Sequence, residues 1–292
     1  MKFGAHQTFH LREGWLLKGL NAIQVDPKIF STDQATTTLG VGKNMVEAIE
    51  YWLKATKLVN KKSDGFELSS IAKLIKDNDP YLECDGTIIL CHYLLATNSE
   101  EATTWYWFFN KFAATEFEAD SLKVYLQSYV QSLTDKSNNQ NTLEKDVTCL
   151  LRTYMEPTYQ DKENPETLNP SPFSKFGLIT RSDKKLFKSK LKVSEVHPLV
   201  FIFLTYLFWK EELGSPKSMQ LEEIVSKDKS PGMILGFSLD DTLTMIETIE
   251  RDYNDSYLQF SRTGGYMIIT LAEKEAKNAM KAYYQDSSLG IK

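Results

Sequence analysis

The chain has 292 residues, of which 42% are hydrophobic and 12% aromatic, with a formal net charge of −5. This composition excludes a disordered or fibrous chain, and the acidic balance means that overall charge does not by itself indicate nucleic-acid binding. Three scattered cysteines are too few for a disulfide framework, and the start lacks the apolar run of a signal peptide, so we expect a cytoplasmic protein. The most apolar stretch, 198–209, is shorter than the roughly 18–20 residues that cross a membrane, so no membrane association is expected.

The first segment, "GAHQTFHLREGW" at 4–15, concentrates groups that can transfer protons and bind phosphate. Phosphodiester cleavage needs a base, a proton donor and positive charge at the phosphorus centre. We therefore take as candidate catalytic residues His6 and His10 for proton transfer, Arg12 for the scissile phosphate and Glu13 as an assisting carboxylate. On spacing alone, a structural role is favoured over this catalytic one, with the aromatic and aliphatic residues of the segment packing it on the core.

Residues 31–75 have the order of signals that predicts a helix-turn-helix followed by a β-hairpin. A short helix ends before "LGVG", a longer amphipathic helix follows, and "KLVNKKSDGFEL" contains two short strands around an Asp-Gly turn. This order is typical of a winged-helix domain, in which the second helix enters the major groove and the hairpin touches the DNA backbone. The residues predicted to contact DNA here are Lys43, Asn44, Lys61 and Lys62. A winged helix can also serve as a protein-interaction or purely structural module.

The middle of the chain, from about Tyr81 to Leu191, is predicted to be mainly helical and to end in a basic connector. Its segment 175–192 holds seven basic residues and one acidic residue, and segment 1–62 holds nine basic and five acidic residues. These two regions could hold an anionic partner such as DNA, although a solvated lysine-rich loop or helix face would have the same composition. The predicted DNA contacts in the middle are Arg181, Lys184, Lys185 and Lys188.

The last hundred residues repeat the order of the first domain without repeating its residues. A buried helix at 197–213 leads to further helices and to "SYLQFSRTGGYMIITL", which predicts a hairpin with Arg262 at its tip as a further DNA contact. The predicted fold class is therefore mainly α with small β-hairpins (α+β), with winged-helix-like ends around a helical middle. The predicted domains are 1–80, 81–193 and 194–292.

Several familiar site motifs are absent from the sequence. "GVGKN" at 40–44 lacks the spacing of a phosphate-binding loop, and His6 is followed by Gln7 rather than the glutamate of zinc proteases. Cys84, Cys91 and His92 lack a fourth zinc ligand at a suitable spacing. The Pro-Asp dipeptide of one common nuclease signature occurs nowhere, so any nuclease here is of a less familiar kind.

Four stretches together resemble one bacterial family: "FGAHQTFHLREGWLLKGL", "LGVGKNMVEAIEYWL", "DPYLECDGTIILCHYLLATN" and "TTWYWFFN". This originally uncharacterised family is encoded beside sulfur-transfer genes in DNA phosphorothioation clusters and includes the B component of the single-strand Ssp system. The N-terminal motif keeps the family pattern at His6, Thr8, Phe9, Arg12, Gly14 and Trp15, whereas Ala5 stands where a larger residue is usual.

The resemblance implies a role in antiphage DNA phosphorothioation, in which sulfur replaces a non-bridging phosphate oxygen. It implies nicking of one DNA strand beside a cysteine desulfurase, an ATPase and a sulfurtransferase. We therefore expect a protein that nicks double-stranded DNA, with a divalent metal (Mg or Mn) as a possible cofactor and a homodimer as a possible assembly. The alternatives are a non-catalytic DNA-binding adaptor for the sulfur-transfer proteins and a transcriptional regulator of the gene cluster.

Overall fold

A computed structural model describes residues 1–134, 140–157 and 169–286 of the chain. Helices dominate, and the strands form small antiparallel sheets, so the predicted α+β class is confirmed. The chain divides into two compact units. The first comprises Met1–Leu82, Leu94–Phe108 and Phe112–Ser189, and the second comprises Glu83–Tyr93, Phe109–Lys111 and Lys190–Lys292. The three domains expected from the sequence stay a prediction.

The first elements follow the predicted order of helix, turn, helix and hairpin. They are α1 (Trp15–Val25), α2 (Ala35–Leu39), α3 (Lys43–Ala55), β1 (Val59–Lys62), β2 (Gly65–Leu68) and α4 (Ser70–Asn78). Gly40 ends α2 in the left-handed conformation, at φ 64°, which costs glycine little because it has no Cβ. Val46, Ile49 and Leu53 give α3 a buried apolar face, which fixes the helix against the core.

The hairpin of β1 and β2 is positioned by a close contact with the chain that leads into α2. Val59 pairs with Leu68 and Lys62 with Gly65, so the turn consists of residues 63 and 64. The Phe66 amide donates a hydrogen bond to the Pro27 carbonyl over 2.9 Å. A Cβ built on Gly65 would lie 2.3 Å from that same carbonyl oxygen, and its φ is 114°, so only glycine fits at this position.

The middle of the chain contains a sheet that the sequence did not predict. Its elements are α5 (Asp85–Ala96), α6 (Thr103–Asn110), β3 (Glu116–Phe117), α7 (Ala119–Leu133), α8 (Gln140–Tyr154), β4 (Ile179–Ser182) and β5 (Lys185–Lys188). The strands lie in the order β3-β5-β4, with Phe117 paired with Leu186. The expectation of a basic connector at 175–192 was therefore wrong, because buried Ile179 and Leu186 anchor a hairpin in which Phe187 and Lys188 are partly buried and the other strand residues are exposed.

The last elements confirm the predicted buried helix and terminal hairpin. They are α9 (Pro198–Glu211), β6 (Met219–Gln220), α10 (Leu221–Ser226), α11 (Pro231–Leu235), α12 (Leu239–Tyr253), β7 (Leu258–Thr263), β8 (Tyr266–Leu271) and α13 (Glu273–Tyr284). The sheet order is β6-β8-β7, and α13 packs along α9, which is buried from Leu199 to Trp209. Among the helices in the described ranges, none has the length and apolar character that crossing a bilayer requires.

Candidate functional site

The N-terminal segment 4–15 is held in a tight turn before α1 begins. Gln7 and Thr8 both adopt positive φ, at 52° and 69°, which costs non-glycine residues energy. The Phe9 amide donates to the His6 carbonyl over 2.9 Å and closes the turn. This geometry directs the His6 ring into the protein, where it lies edge-on to Tyr51 and Trp105.

His6 takes part in a buried hydrogen-bond network centred on Asp146 of α8. The His6 Nε2 atom lies 2.9 Å from Asp146 Oδ1, and both side chains are 1% exposed. The Gly4 amide donates to Asp146 Oδ1 over 2.7 Å, and the Thr104 hydroxyl donates to Asp146 Oδ2 over 2.7 Å. Asp146 therefore ties the N-terminal segment to α8 and α6.

Both ring nitrogens of His6 are used inside the protein. The Thr8 amide donates to Nδ1 over 3.1 Å, so Nδ1 is an acceptor and the proton of the neutral ring lies on Nε2, facing Asp146. With both nitrogens hydrogen-bonded and the ring buried, His6 has neither a lone pair nor a proton facing solvent in this structure. Its position is that of a residue that holds the segment in place.

The other polar groups of the segment lie in different environments. Arg12 is 8% exposed, and its guanidinium carbon lies 5.3 Å from the centre of the Phe9 ring and 5.2 Å from that of the Trp15 ring. This geometry is that of a cation–π contact, which uses the guanidinium for packing rather than for a surface phosphate. Glu13 is exposed, and its amide donates to the Pro170 carbonyl over 3.1 Å.

His10 differs from His6 because it lines a cavity. Its Nε2 atom lies 3.3 Å from the Asn169 carbonyl oxygen, an acceptor, so the ring donates from Nε2 and keeps Nδ1 as an acceptor. Burial lowers the pKa of His10 from 6.5 to about 4, and repulsion from Arg12 and Arg152 acts in the same direction. The ring is therefore neutral at physiological pH.

The cavity beside His10 lies in the first unit and has a volume of about 290 Å³. Its cations come from three elements: Lys123 from α7, Arg152 from α8 and Arg181 from β4. We call this cavity the cationic pocket. A neighbouring depression shares Lys123, Thr148 and Arg152 with it and adds Lys145. The N-terminal segment and the basic segment 175–192 thus meet here, through His10 and Arg181.

All of the predicted DNA contacts except Lys188 are exposed. Lys43 and Asn44 form the exposed first turn of α3, and Lys61, Lys184 and Arg262 are exposed near hairpin turns. Two further lysines form ion pairs at the surface, Lys62 with Glu67 over 3.0 Å and Lys185 with Glu116. Exposed pairs of this kind are worth about 0–1 kcal/mol, so both lysines can exchange their partner for a phosphate.

Lys188 points into the protein. Its Nζ atom donates to the Phe108 carbonyl over 2.8 Å and to the Phe112 carbonyl over 3.0 Å, and it lies over the Phe108 ring. Burial lowers the pKa of Lys188 from 10.5 to about 8. Its ammonium group donates hydrogen bonds to carbonyls near the end of α6, so we do not include Lys188 among the residues proposed to contact DNA.

Sequence reasoning missed five residues that the structure places at these sites. They are Thr104 and Asp146 in the buried network and Lys123, Lys145 and Arg152 at the pocket and its neighbouring depression. One signal was present: Lys145, Thr148 and Arg152 recur at helical spacing along α8 and therefore share one face of it. No local signal marks Asp146, because its partners come from distant parts of the chain.

The described residues do not fit a bound divalent cation at either site. Mg²⁺ prefers carboxylate and other oxygen ligands, whereas Glu156 is the single carboxylate that lines the cationic pocket, among three cations. Within the described ranges, no group of three or more His, Cys, Asp and Glu side chains is arranged to hold a metal ion. We therefore derive no chemical step through a metal.

Comparison with solved structures shows the same fold in two crystal structures of a protein named SspB. One, described as "Magnesium ion-bound SspB crystal structure", has a TM-score of 0.85, and the other, "SspB crystal structure", has 0.84. Each is 23% identical to this chain, and each alignment covers 98% of this chain and 88% of the SspB chain. The resemblance inferred from the four sequence stretches is thereby confirmed.

No curated protein matches the chain significantly in sequence. A family model matches from residue 3 to residue 284, which is nearly the whole chain. The chain therefore belongs to the family described as "Protein of unknown function (DUF4007)".

Proposed function

We propose that the protein binds double-stranded DNA as a component of a bacterial phosphorothioation system. The observation that carries this proposal is a structural order that occurs three times, in which helices are followed by a short antiparallel hairpin. The system is proposed from the sequence resemblance, and the shared fold with the structures named SspB supports it.

The sheet topology supports winged-helix-like units. In the orders β3-β5-β4 and β6-β8-β7, the strand that precedes the helices pairs with the last strand of the hairpin. Within the described range 1–134, the first repeat has no strand before its helices. Instead, the Pro27 carbonyl accepts a hydrogen bond from the Phe66 amide of β2. A three-stranded sheet of this order, with helices between its first and second strands, is the arrangement we expect for a winged helix. On this interpretation the helical middle is a third winged-helix-like unit.

Charge distinguishes the three helices that precede the hairpins. α3 begins with Lys43, and α8 carries Lys145 and Arg152 on one face. α12 instead carries Asp240, Asp241, Glu247 and Glu250, which would repel phosphate. We therefore assign the DNA-binding surface to the first two repeats, with the third contributing at most Arg262 from its hairpin.

This assignment predicts the effect of removing three exposed cations. The combined Lys43→Gln, Lys61→Gln and Lys184→Gln variant should bind duplex DNA at least tenfold more weakly. The slope of log affinity against log salt should become shallower by about 2–3, because each lost phosphate contact removes about one unit. Fluorescence anisotropy with a labelled duplex at several salt concentrations measures both quantities.

A matched control removes the same charge from the second unit. Lys217, Lys274 and Lys277 are exposed there, and their combined replacement by glutamine should leave duplex affinity within about twofold of the parent. Equal weakening by both triple variants would mean that net charge, rather than this surface, determines binding.

Strand nicking is the second proposed activity, and the position of His10 favours it. A neutral imidazole with an acceptor nitrogen lies beside a pocket that contains Arg152 and Arg181. At neutral pH such a ring can accept a proton from an attacking water, and the two guanidinium groups can stabilise charge on the phosphate. Arg152 and Arg181 here replace Arg12 as the proposed phosphate-binding arginines.

A supercoiled-plasmid assay with Mg²⁺ or Mn²⁺ tests the nicking proposal. The parent should convert plasmid to the open circular form, and His10→Gln should slow the conversion about 100-fold if the ring transfers a proton. His197→Gln, in the second unit, is the matched histidine control and should nick at the parental rate. If folded His10→Gln nicks as fast as the parent, His10 is not the base.

An intact plasmid under both metals would favour a non-catalytic adaptor. In that role the protein would bring the cysteine desulfurase, ATPase or sulfurtransferase to DNA, and co-purification of one of these with the DNA-bound protein would support it. A regulator would instead bind one promoter much more tightly than random duplex. A homodimer remains a proposal that the mass of the protein in solution tests directly.

A further inference from the structure

We propose that the cationic pocket binds one nucleotide unit, with its phosphate at Arg152 and Arg181 and its base against the apolar wall. This inference deepens the proposed function, because it rests on nucleic acid as the partner. It assigns the pocket, including Arg152 and Arg181, to an unpaired nucleotide, whereas exposed cations outside the pocket, such as Lys43, Lys61 and Lys184, are assigned to duplex DNA. The two assignments can therefore fail separately.

The size of the pocket excludes a base-paired partner. Its volume of about 290 Å³ lies just below the range for small-molecule sites, about 300–1,000 Å³. A base pair cannot enter a cavity of this size, so a DNA strand that is nicked here has to present an unpaired nucleotide. A single base with its sugar and phosphate is of the right size. The pocket thus selects for a free nucleotide or for one unit of a single strand.

The charge of the pocket favours a phosphate. Among the described residues, none forms an ion pair with Arg152 or with Arg181, although both line the same cavity. Lys123, Arg152 and Arg181 outnumber the single carboxylate among the described residues that line the pocket, Glu156, so the cations repel each other and a bound anion reduces that repulsion. Guanidinium groups bind phosphate through paired hydrogen bonds, which makes arginine well suited to this task. Lys123 adds a third cation, which pairs at the surface with Asp120 over 2.8 Å.

The remaining wall of the pocket favours a flat organic group over a bare inorganic anion. Val147 and Leu151 of α8 and Met155, the residue after its end, are spaced four residues apart and line the cavity as an apolar strip, with Pro157 and Pro170 beside it. A nucleic-acid base can pack between apolar side chains of this kind. Because His10 is neutral, it adds hydrogen-bonding capacity at the wall without adding charge.

The neighbouring depression suggests how a strand would continue. It shares Lys123 and Arg152 with the pocket and adds Lys145, Asn141 and one carboxylate, Glu144, so cations outnumber anions beyond the cavity as well. The phosphate of a next nucleotide could lie there while the first base occupies the pocket. A strand should then bind more tightly than a free nucleotide, and a site for nucleotides alone should not show that preference.

Calorimetric titration of the full chain with three ligands separates these cases. The ligands are thymidine 5′-monophosphate, a short oligothymidylate and inorganic phosphate. We expect saturable binding of the monophosphate, at least tenfold tighter binding of the oligothymidylate, and at least tenfold weaker binding of inorganic phosphate than of the monophosphate. Absence of saturable binding to both nucleotide ligands, or equal affinity for inorganic phosphate, would overturn the proposal. Equal affinity for monophosphate and oligothymidylate would overturn the strand path through the depression.

Variants assign the binding to this pocket. Arg152→Gln and Arg181→Gln replace exposed residues, so both should fold, and each should weaken nucleotide binding tenfold or more. Ala119→Trp keeps every cation but places an indole at the cavity wall, and it should abolish nucleotide binding. Arg251→Gln in the second unit, where Arg251 pairs with Asp252, is the matched arginine control and should bind as the parent does.

The duplex assay distinguishes failure of this inference from failure of the proposed function. Ala119→Trp should keep parental duplex affinity, whereas the triple lysine variant at positions 43, 61 and 184 should keep parental nucleotide affinity. If the parent binds duplex but no nucleotide, the pocket assignment is wrong and the DNA-binding proposal stands. If Arg152→Gln and Arg251→Gln bind nucleotide equally well, the ligand binds elsewhere.

Discussion

Asp146→Ala is expected to lower the free energy of unfolding of the first unit by about 3–5 kcal/mol. The substitution removes the acceptor of three hydrogen bonds, from the His6 ring, the Gly4 amide and the Thr104 hydroxyl. It also leaves those donors in a region where His6 and Thr104 are almost wholly buried. A buried donor that loses its acceptor bears its full desolvation cost, which explains the large effect.

Chemical unfolding followed by tryptophan fluorescence measures this loss. Hydrogen exchange should also show faster exchange at residues 4–10, because the network is what holds that segment to α8. Asp33→Ala, at an exposed position, is the carboxylate control and should change the free energy of unfolding by less than about 0.5 kcal/mol. A loss below 1 kcal/mol for Asp146→Ala would show that the network contributes little to stability.

Acidification from pH 6.5 to pH 4 is expected to destabilise the protein through two buried histidines. Burial lowers the pKa of His10 and of His92 from 6.5 to about 4 in the folded chain. Between pH 6.5 and pH 4 the unfolded chain binds more protons than the folded chain. The contribution of the two neutral histidines to the free energy of unfolding is therefore fully present above pH 6.5 and is lost as the pH falls towards 4. Each shift corresponds to about 3 kcal/mol at most.

Melting temperature measured between pH 7.5 and pH 4 tests this prediction. His10→Gln keeps an N–H group for the Asn169 carbonyl but cannot be protonated, so its melting temperature should fall less with acid than that of the parent. The double variant with His92→Gln should show a still flatter dependence. Parallel pH profiles for parent and double variant would mean that other groups cause the acid sensitivity.

The local signals of the sequence were sufficient to predict two of the three hairpins and the helices around them. Gly40 and Gly42 lie between the two helices, Asp64 and Gly65 indicate the first hairpin, whose turn consists of residues 63 and 64, and Gly264-Gly265 form the turn of the last. In each case the turn chemistry and the apolar periodicity lie within a few residues of the element that they form. Such elements can be identified without knowing what packs against them.

The middle hairpin could not be identified in this way. Its turn consists of Asp183 and Lys184 without a glycine, and its short strands carry Arg181, Lys185 and Lys188, a basic composition that is also typical of a solvated loop. What makes it a sheet is the pairing of β5 with β3, because Phe117 lies opposite Leu186 across a gap of many residues in sequence. That pairing depends on tertiary structure, because α7 and α8 lie between the two strands in the sequence.

The roles of the N-terminal histidines were decided by tertiary structure. The sequence established that His6, His10 and Arg12 are close together and are rich in possible chemistry, but spacing left their function open. His6 meets Asp146 at a separation of 140 residues, and His10 meets Asn169 at a separation of 159. The local sequence determined which chemical groups were present. Hydrogen bonds and burial depend on partners that are distant in the sequence, so only the fold decided that His6 is held inside while His10 lines the cationic pocket.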